Sequence, residues 1–314
     1  MEAQFADAAC ECSARMQFTA AAYECSLRMQ FTVAVRGCSL RMQFTAAVRG
    51  YSSWMQFADV THECSSQISG GEAHHMMKIT YIHHSSFLVE LDHSYLLFDY
   101  TEGGIPKLDS EKPLYVFASH RHGDHYSPVI FDLMKNRGNI RYILSNDIWR
   151  KRLPQEALPV TISMKHYENA EISCGTEGEA IRVATLKSTD EGVAFLVETE
   201  GKSIYHAGDL NNWTWDGEPE NWNSSMAKKY SAQIDKIAGR HLDVAFLPLD
   251  PRQEEYFYLG MDEFLTKVAA DTVFPMHCWG DFSVIAKIKA MECSVLYRDR
   301  IEDISRDGDE FLVQ

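Results

Sequence analysis

Residues 119–125 read Ser-His-Arg-His-Gly-Asp-His, and this stretch decides how the rest of the chain is interpreted. It places three histidines and one aspartate within six positions, directly after the apolar segment Leu114–Ala118, which has the composition of a buried strand. Neutral imidazole and carboxylate groups are the usual ligands of zinc and related divalent ions. The stretch therefore predicts a metal-binding loop at the end of a strand. The alternative is a solvated loop that is rich in histidine.

The spacing within this loop predicts two ions rather than one. His120 and His122 can converge on a first ion when the loop curls, and Gly123 gives the backbone the freedom that a curl needs. Asp124 and His125 then face a second ion. We also predict that Asp124 orients a water molecule and takes its proton during catalysis.

Two further candidate ligands, Asp209 and His277, each come shortly after an apolar strand-like segment. Open α/β sheets place their sites at the carboxyl ends of strands, so we expect both residues to lie near the histidine-rich loop. Taken singly, Asp209 would be read as a turn residue and His277 as a hydrogen-bonded structural histidine. Their shared position at strand ends favours metal binding.

The remaining pattern predicts an α/β domain with mixed sheets. Strand-like segments come in a run at the start of the domain and later alternate with helical segments, of which 225–238 and 262–270 are the clearest. Pro128–Asn136 also has helical spacing.

These motifs together resemble the metallo-β-lactamase superfamily. Residues 119–125 resemble its H-x-H-x-D-H signature, 204–209 resemble the strand whose aspartate bridges both metals, and 273–277 resemble the late strand whose histidine binds the second metal. The opening segment 79–85 resembles the branch that includes L-ascorbate 6-phosphate lactonases. The resemblance implies an αβ/βα four-layer sandwich with mixed sheets. It also implies two divalent metal ions, zinc or manganese, with iron as a further candidate.

One position departs from the family pattern. The superfamily usually supplies a third histidine to the first metal, but the matching stretch 186–195 contains none. Asp190 is the nearest substitute ligand, and the alternative is that it only shapes the turn before residue 193. A carboxylate there would shift the preference of the first site toward manganese or iron relative to zinc.

Two residues beside these motifs are candidate substrate or outer-sphere contacts. His84 comes at the end of the opening strand-like segment, and Arg121 lies within the histidine-rich loop. We expect His84 to approach the metal site and Arg121 to offer a positive charge to an anionic group. An ordinary surface role is the alternative for Arg121.

The first quarter of the chain has a different organisation. Phenylalanine recurs every 13 residues, at Phe5, Phe18, Phe31, Phe44 and Phe57, and the two middle copies, Cys25–Gly37 and Cys38–Gly50, are nearly identical. We therefore divide the chain into a repeat extension, residues 1–75, and a hydrolase domain, residues 76–314. The extension is expected to be poorly ordered or to form a small β-array.

The charge and composition of the chain limit the kinds of partner that we expect. The net charge is −15, of which −13 falls on residues 76–314, and an acidic domain repels phosphate backbones. This argues against a nucleic-acid partner.

No stretch approaches the roughly 18 apolar residues of a membrane span. The start of the chain has no basic segment before an apolar run, so we expect no secretory signal. Only three cysteines fall within 76–314, which predicts a reduced, cytoplasmic protein.

The resulting functional hypothesis is a metal-dependent hydrolase. A metal-activated hydroxide would attack a small anionic ester, lactone or phosphoester, so the partner is a small-molecule substrate. Two alternatives stay open: a phosphodiesterase or nuclease of the same superfamily, and a non-catalytic metal-binding protein. The sequence also leaves a homo-oligomer open.

Overall fold

The structure, a computed structural model, describes residues 76–173 and 180–314 in full, together with the backbone of three strands before residue 48. These three strands are β1 (Ser13–Thr19), β2 (Ser26–Val35) and β3 (Cys38–Ala47), and they form an antiparallel sheet in the order β1-β2-β3. The chain divides into two units, residues 1–71 and 72–314. The rest of the repeat extension lies outside the described residues, so its expected order stays a prediction.

Two mixed sheets form the second unit. The first sheet contains seven strands in the order β16-β4-β5-β6-β7-β8-β9. Its strands are β4 (Met77–His83), β5 (Ser86–Glu90), β6 (Tyr95–Phe98), β7 (Leu114–Ala118), β8 (Ile140–Ser145), β9 (Thr161–Met164) and β16 (Glu310–Val313). Pairing is antiparallel from β16 to β6 and parallel from β6 to β9.

The second sheet contains six strands in sequence order, β10 to β15. They are β10 (Asn169–Ile172), β11 (Ile181–Lys187), β12 (Val193–Thr199), β13 (Lys202–His206), β14 (His241–Pro248) and β15 (Ala269–Met276). The first four pair antiparallel, and β13, β14 and β15 pair parallel. The predicted mixed sheets are therefore confirmed.

The helices cover the outer faces of the sheets. The described α-helices are α1 (Glu220–Ile234), α2 (Leu259–Lys267) and α3 (Ser283–Lys289). Helix α2 packs on the second sheet, where the rings of Phe264 and Tyr205 lie 4.9 Å apart. Pro128–Asn136, predicted as a helix, is a 3₁₀ helix, and its Ile130 and Phe131 pack on the outer face of the first sheet. None of the helices within the described residues is long and apolar enough to cross a membrane.

Aromatic side chains fill the space between the two sheets. Phe87 of the first sheet packs on Phe246 of the second, with ring centroids 4.3 Å apart, and Phe117 packs on Phe195 at 5.2 Å. All four side chains are buried, and each such burial contributes about 1.5–3 kcal/mol. This core fixes the two sheets face to face and so sets the spacing of the loops at their ends.

A close backbone approach joins the two sheets at one of these ends. Gly192, in the turn before β12, has φ +72°, and a Cβ there would lie 2.0 Å from the carbonyl oxygen of Ser119. The next residue, Val193, donates its backbone N–H to that same oxygen at 2.9 Å. Only glycine allows this contact, because any side chain would push the turn away from Ser119.

We expect Gly192→Ala to destabilise the protein much more than Gly201→Ala. Gly201 has the same φ of +72° but no heavy atom within 4 Å of its Cβ position, so it isolates the cost of the backbone conformation. That cost is about 1–2 kcal/mol, and overpacking at Gly192 adds about 1–3 kcal/mol. Denaturant unfolding of both variants measures the difference. Equal free energies of unfolding would show that the turn can move away from Ser119 without loss.

Candidate metal centre

The candidate residues all follow the carboxyl ends of strands, at one end of the two sheets. They are His84 after β4, Asp99 after β6, His120 after β7, Asp209 after β13, Asp250 after β14 and His277 after β15. Three of them have left-handed backbone conformations, with φ of 50° at His84, 42° at Asp99 and 63° at His277. Such conformations are uncommon outside glycine and are found where a site imposes strain.

A first group of side chains brings together His120, His122, Asp190 and Asp209. One potential ligand atom from each lies within 4.8 Å of the others. Nε2 of His120 lies 3.1 Å from Nδ1 of His122 and 3.4 Å from Oδ2 of Asp209. Nδ1 of His122 lies 3.7 Å from Oδ2 of Asp190. Two imidazoles and two carboxylates thus face one small volume.

A second group brings together His84, Asp124, His125 and His277, again with one potential ligand atom each within 4.8 Å of the others. Oδ2 of Asp124 lies 3.6 Å from Nε2 of His84 and 3.9 Å from Nε2 of both His125 and His277. Three imidazole nitrogens therefore surround this carboxylate oxygen, and each lies farther from it than an ordinary hydrogen-bond distance.

Asp209 lies between the two groups. Its Oδ1 is 3.0 Å from Nε2 of His125 and 3.4 Å from Nε2 of His277, whereas its Oδ2 faces His120. Burial would raise the pKa of this carboxyl, but the neighbouring His125 and His277 outweigh it and hold the pKa well below its usual range. The carboxylate is thus positioned to offer one oxygen to each group.

Several buried atoms in these groups have no hydrogen-bond partner. They are Nε2 of His84, His125 and His277, and Oδ1 of Asp209. The 3.0 Å approach between Nε2 of His125 and Oδ1 of Asp209 does not have the geometry of a hydrogen bond. A buried polar atom without a partner costs free energy, and proteins rarely leave four of them together. All four belong to ligand-type atoms that face the same volume, so divalent cations fit this donor set.

Comparisons with known proteins find relatives that are named metal-dependent hydrolases. Residues 78–220 match the profile of a family described as "Beta-lactamase superfamily domain". A UPF0173 metal-dependent hydrolase of Methanopyrus kandleri is 25% identical over 221 residues, which are 67% of this chain and 86% of the relative. A UPF0173 metal-dependent hydrolase of Heliobacterium modesticaldum is 27% identical over 223 residues, 67% of this chain and 85% of the relative.

The chain is a metal-dependent hydrolase with the metallo-β-lactamase fold. Among solved structures, a metallo hydrolase from the archaeon Ignicoccus hospitalis has 18% sequence identity and a TM-score of 0.49, over 76% of this chain and 99% of that chain. The names of the two sequence relatives specify no substrate, so the lactonase branch suggested by residues 79–85 stays a prediction.

The hydrolase brings nearly all of the predicted site residues together. The seven predicted metal ligands are His120, His122, Asp124, His125, Asp190, Asp209 and His277, and each lies in one of the two groups. His84, predicted as a substrate or outer-sphere contact, lies in the second group itself. Arg121 lies in neither group, and its guanidinium pairs with Glu191 at 2.6 Å. The role of each residue as a ligand or a contact stays a prediction.

Asp99, which the sequence motifs did not reveal, holds the histidine-rich loop in place. Its fully buried carboxylate accepts hydrogen bonds from the backbone N–H of Ser119 at 2.7 Å, from Oγ of Ser119 at 2.6 Å, and from Nδ1 of His125 at 2.7 Å. Oγ of Ser119 in turn lies 3.0 Å from Nδ1 of His120. Because Nδ1 of each ring has a hydrogen-bond partner, Nε2 of His120 faces the first group and Nε2 of His125 faces the second.

Asp250 orients the ring of His277 in the same way, and the sequence motifs did not reveal this residue either. Its buried carboxylate lies 2.9 Å from Nδ1 of His277 and accepts hydrogen bonds from Arg252 at 2.6 Å and Trp279 at 3.3 Å. Burial alone would raise the pKa of this carboxyl, but the hydrogen bonds from His277 and Arg252 together have the larger effect and lower the pKa to about 2. The only sequence signal for Asp99 and Asp250 was their position just after a strand, which they share with ordinary turn residues.

We expect Asp250→Asn to weaken divalent metal binding by about 10- to 100-fold, the usual effect of losing a carboxylate that orients a histidine ligand. Asp243→Asn is the matched control, since Asp243 also accepts hydrogen bonds, from Ser203 at 2.8 and 3.0 Å, but lies outside both groups. Competition with a chromophoric chelator measures both affinities. Equal affinities in the two variants would mean that His277 does not need Asp250 to bind metal.

Proposed function

We propose that this hydrolase holds two divalent cations, zinc or manganese with iron as a further candidate, and cleaves a small ester, lactone or phosphoester. The observation that carries the proposal is the pair of histidine–aspartate groups that share Asp209 and contain four unpartnered buried atoms. The four unpartnered atoms all face the second group, and the two imidazoles and two carboxylates gathered in the first group support another ion there.

The residues divide between the ions as follows in this proposal. His120, His122 and Asp190 would hold the first ion, Asp124, His125 and His277 would hold the second, and Asp209 lies where it could contribute to both. His84, with Nε2 in the second group, is a further candidate ligand there. When bound, the two cations supply the acidity that makes water a nucleophile near neutral pH and polarise the bond to be cleaved.

Asp124 is the proposed catalytic residue. Its carboxylate is partly exposed and lines a cavity next to the second group, whereas the histidines of that group are buried. The His84 ring beside it holds the pKa of this carboxyl below its usual range, so the group is ionised at neutral pH. An ionised carboxylate at the edge of the cavity can orient a water molecule and accept its proton.

Asp190 gives the first ion a more negative environment than the family histidine would. Burial raises the pKa of the Asp190 carboxyl, and the nearby Asp209 carboxylate raises it further. This repulsion between two carboxylates is relieved when a cation lies between them. Oxygen ligands also suit manganese and iron better than zinc, so we infer a preference for those metals at the first ion.

The direct test is elemental analysis of protein purified without chelator, followed by activity screens with each metal on esters, lactones and phosphodiesters. We expect about two equivalents of divalent metal and hydrolysis that stops when a chelator removes them. Protein that binds no metal would overturn the proposal. Metal-loaded protein that hydrolyses none of the three classes would favour a non-catalytic metal-binding role.

The sharpest test of the ligand assignment concerns Asp190. Asp190→Asn keeps the shape of the side chain but removes its charge, so we expect the affinity for the first ion to fall by about 10- to 100-fold. Asp190→His should restore that affinity and shift the preference toward zinc, because imidazole suits zinc better than manganese. Metal titrations of the wild type and both variants measure the two effects.

A turn role for Asp190 gives a different result. The backbone N–H of Asp190 donates to Oγ of Ser188 at 3.1 Å, so the residue is already part of a tight turn. Asparagine serves such turns as well as aspartate does. Unchanged metal affinity in Asp190→Asn would therefore show that the first ion is held by other residues.

A further inference from the structure

A cavity of about 610 Å³ opens beside the second group of the metal centre. Asp124 and His84 form the part of its wall that belongs to the metal centre. Nε2 of His84, which is buried, has no hydrogen-bond partner there. A substrate whose reactive bond lies at the metals would therefore place its non-reacting arm in this cavity.

The wall of the cavity carries negative charge beyond the metal centre. Glu102 and Asp307 line it, and His83 lies between them, with Nε2 3.5 Å from Oε1 of Glu102 and Nδ1 2.9 Å from Oδ2 of Asp307. None of the lining residues is a lysine or an arginine. Even a protonated His83 would set one positive charge against two carboxylates, so this wall stays negative.

Aromatic rings complete the wall. Trp279 is 48% exposed and packs edge-on against the His84 ring at 4.6 Å, and Phe282 lines the cavity beside it. The guanidinium of Arg252 lies 4.3 Å from the centre of the Trp279 ring, so this indole already binds one cation within the protein. The charge of Arg252 is already paired within the protein, because Asp250 accepts three hydrogen bonds from its side chain.

Carboxylates combined with exposed aromatic rings recognise ammonium groups. We propose that the substrate of this hydrolase carries a cationic ammonium group on its non-reacting arm, which binds between Trp279 and the Glu102–Asp307 wall. The inference rests on the proposed hydrolase function, since the metal centre fixes where the reactive bond lies. The negative charge expected of the substrate from the sequence then belongs to the end at the metal cations, and the ammonium group belongs to the end at the carboxylates of the far wall.

The test compares choline with its uncharged isostere 3,3-dimethylbutanol, because the two differ in charge but hardly in shape. Calorimetric titration into the metal-loaded protein should show choline binding about three- to tenfold more tightly at low ionic strength, the range of an exposed cation–π contact with nearby carboxylates. The preference should shrink at high salt, since exposed charges are screened.

A double variant, Glu102→Gln with Asp307→Asn, should lose most of this preference. Both carboxylates are exposed, so the variant should keep the wild-type unfolding temperature and metal content. Asp271→Asn is the matched control, because Asp271 contacts His241 at the same 2.9 Å but does not line the cavity. Equal binding of the two probes by the wild type, or a preference that the double variant retains, would overturn the proposal.

The outcomes separate this inference from the function on which it rests. Protein that binds no metal and hydrolyses nothing contradicts the hydrolase proposal, whichever probe it prefers. An active metalloenzyme that binds choline and 3,3-dimethylbutanol equally contradicts only the cationic arm. In an active enzyme, a choline ester should also be cleaved with a higher kcat/KM than its 3,3-dimethylbutyl counterpart.

Discussion

The geometry of the metal centre depends on how Ser119 is held. Asp99 accepts hydrogen bonds from its backbone N–H and its hydroxyl, and Val193 of the second sheet donates to its carbonyl oxygen at 2.9 Å. Gly208 approaches from the other side, where a Cβ would lie 2.6 Å from that of Ser119. Three hydrogen bonds and one close backbone approach thus fix Ser119 between the two sheets, and His120 follows directly after it.

The residues of the candidate metal centre come from both sheets. The histidine-rich loop comes from the first sheet, whereas Asp190, Asp209 and His277 come from the second. A cation that draws ligands from both sides adds its binding free energy to the folded state, because the unfolded chain holds no preformed site. The aromatic core between the sheets then needs to set only their spacing, and the donors of each group complete the alignment at this end.

The sequence predicted those parts of the site that have a local signature. The histidine-rich loop shows three imidazoles and a carboxylate in six residues, and such density is rare by chance. Asp99 and Asp250 have no such signature, because their function comes from contacts with residues 20 to 27 positions away. The sequence did not predict the pairing of β16 with β4 for the same reason, because neither strand alone indicates which distant strand it pairs with. Pro128–Asn136 kept its apolar face but adopted the tighter 3₁₀ turn.

The two groups of ligands also differ in their access to water, and this difference has a chemical consequence. His122 and Asp190 of the first group are 41% and 46% exposed, whereas in the second group only Asp124, at 33%, is partly exposed and the three histidines are buried. A cation in the open group can keep water among its ligands, which suits manganese or iron with oxygen donors. A cation in the second group would be held mainly by imidazoles, two of which Asp99 and Asp250 orient, and imidazole is a ligand that zinc favours. Asp190, the proposed substitute for a histidine that the resembled superfamily usually supplies, thus lies on the more exposed side of the centre, where solvent lowers the cost of an extra charge.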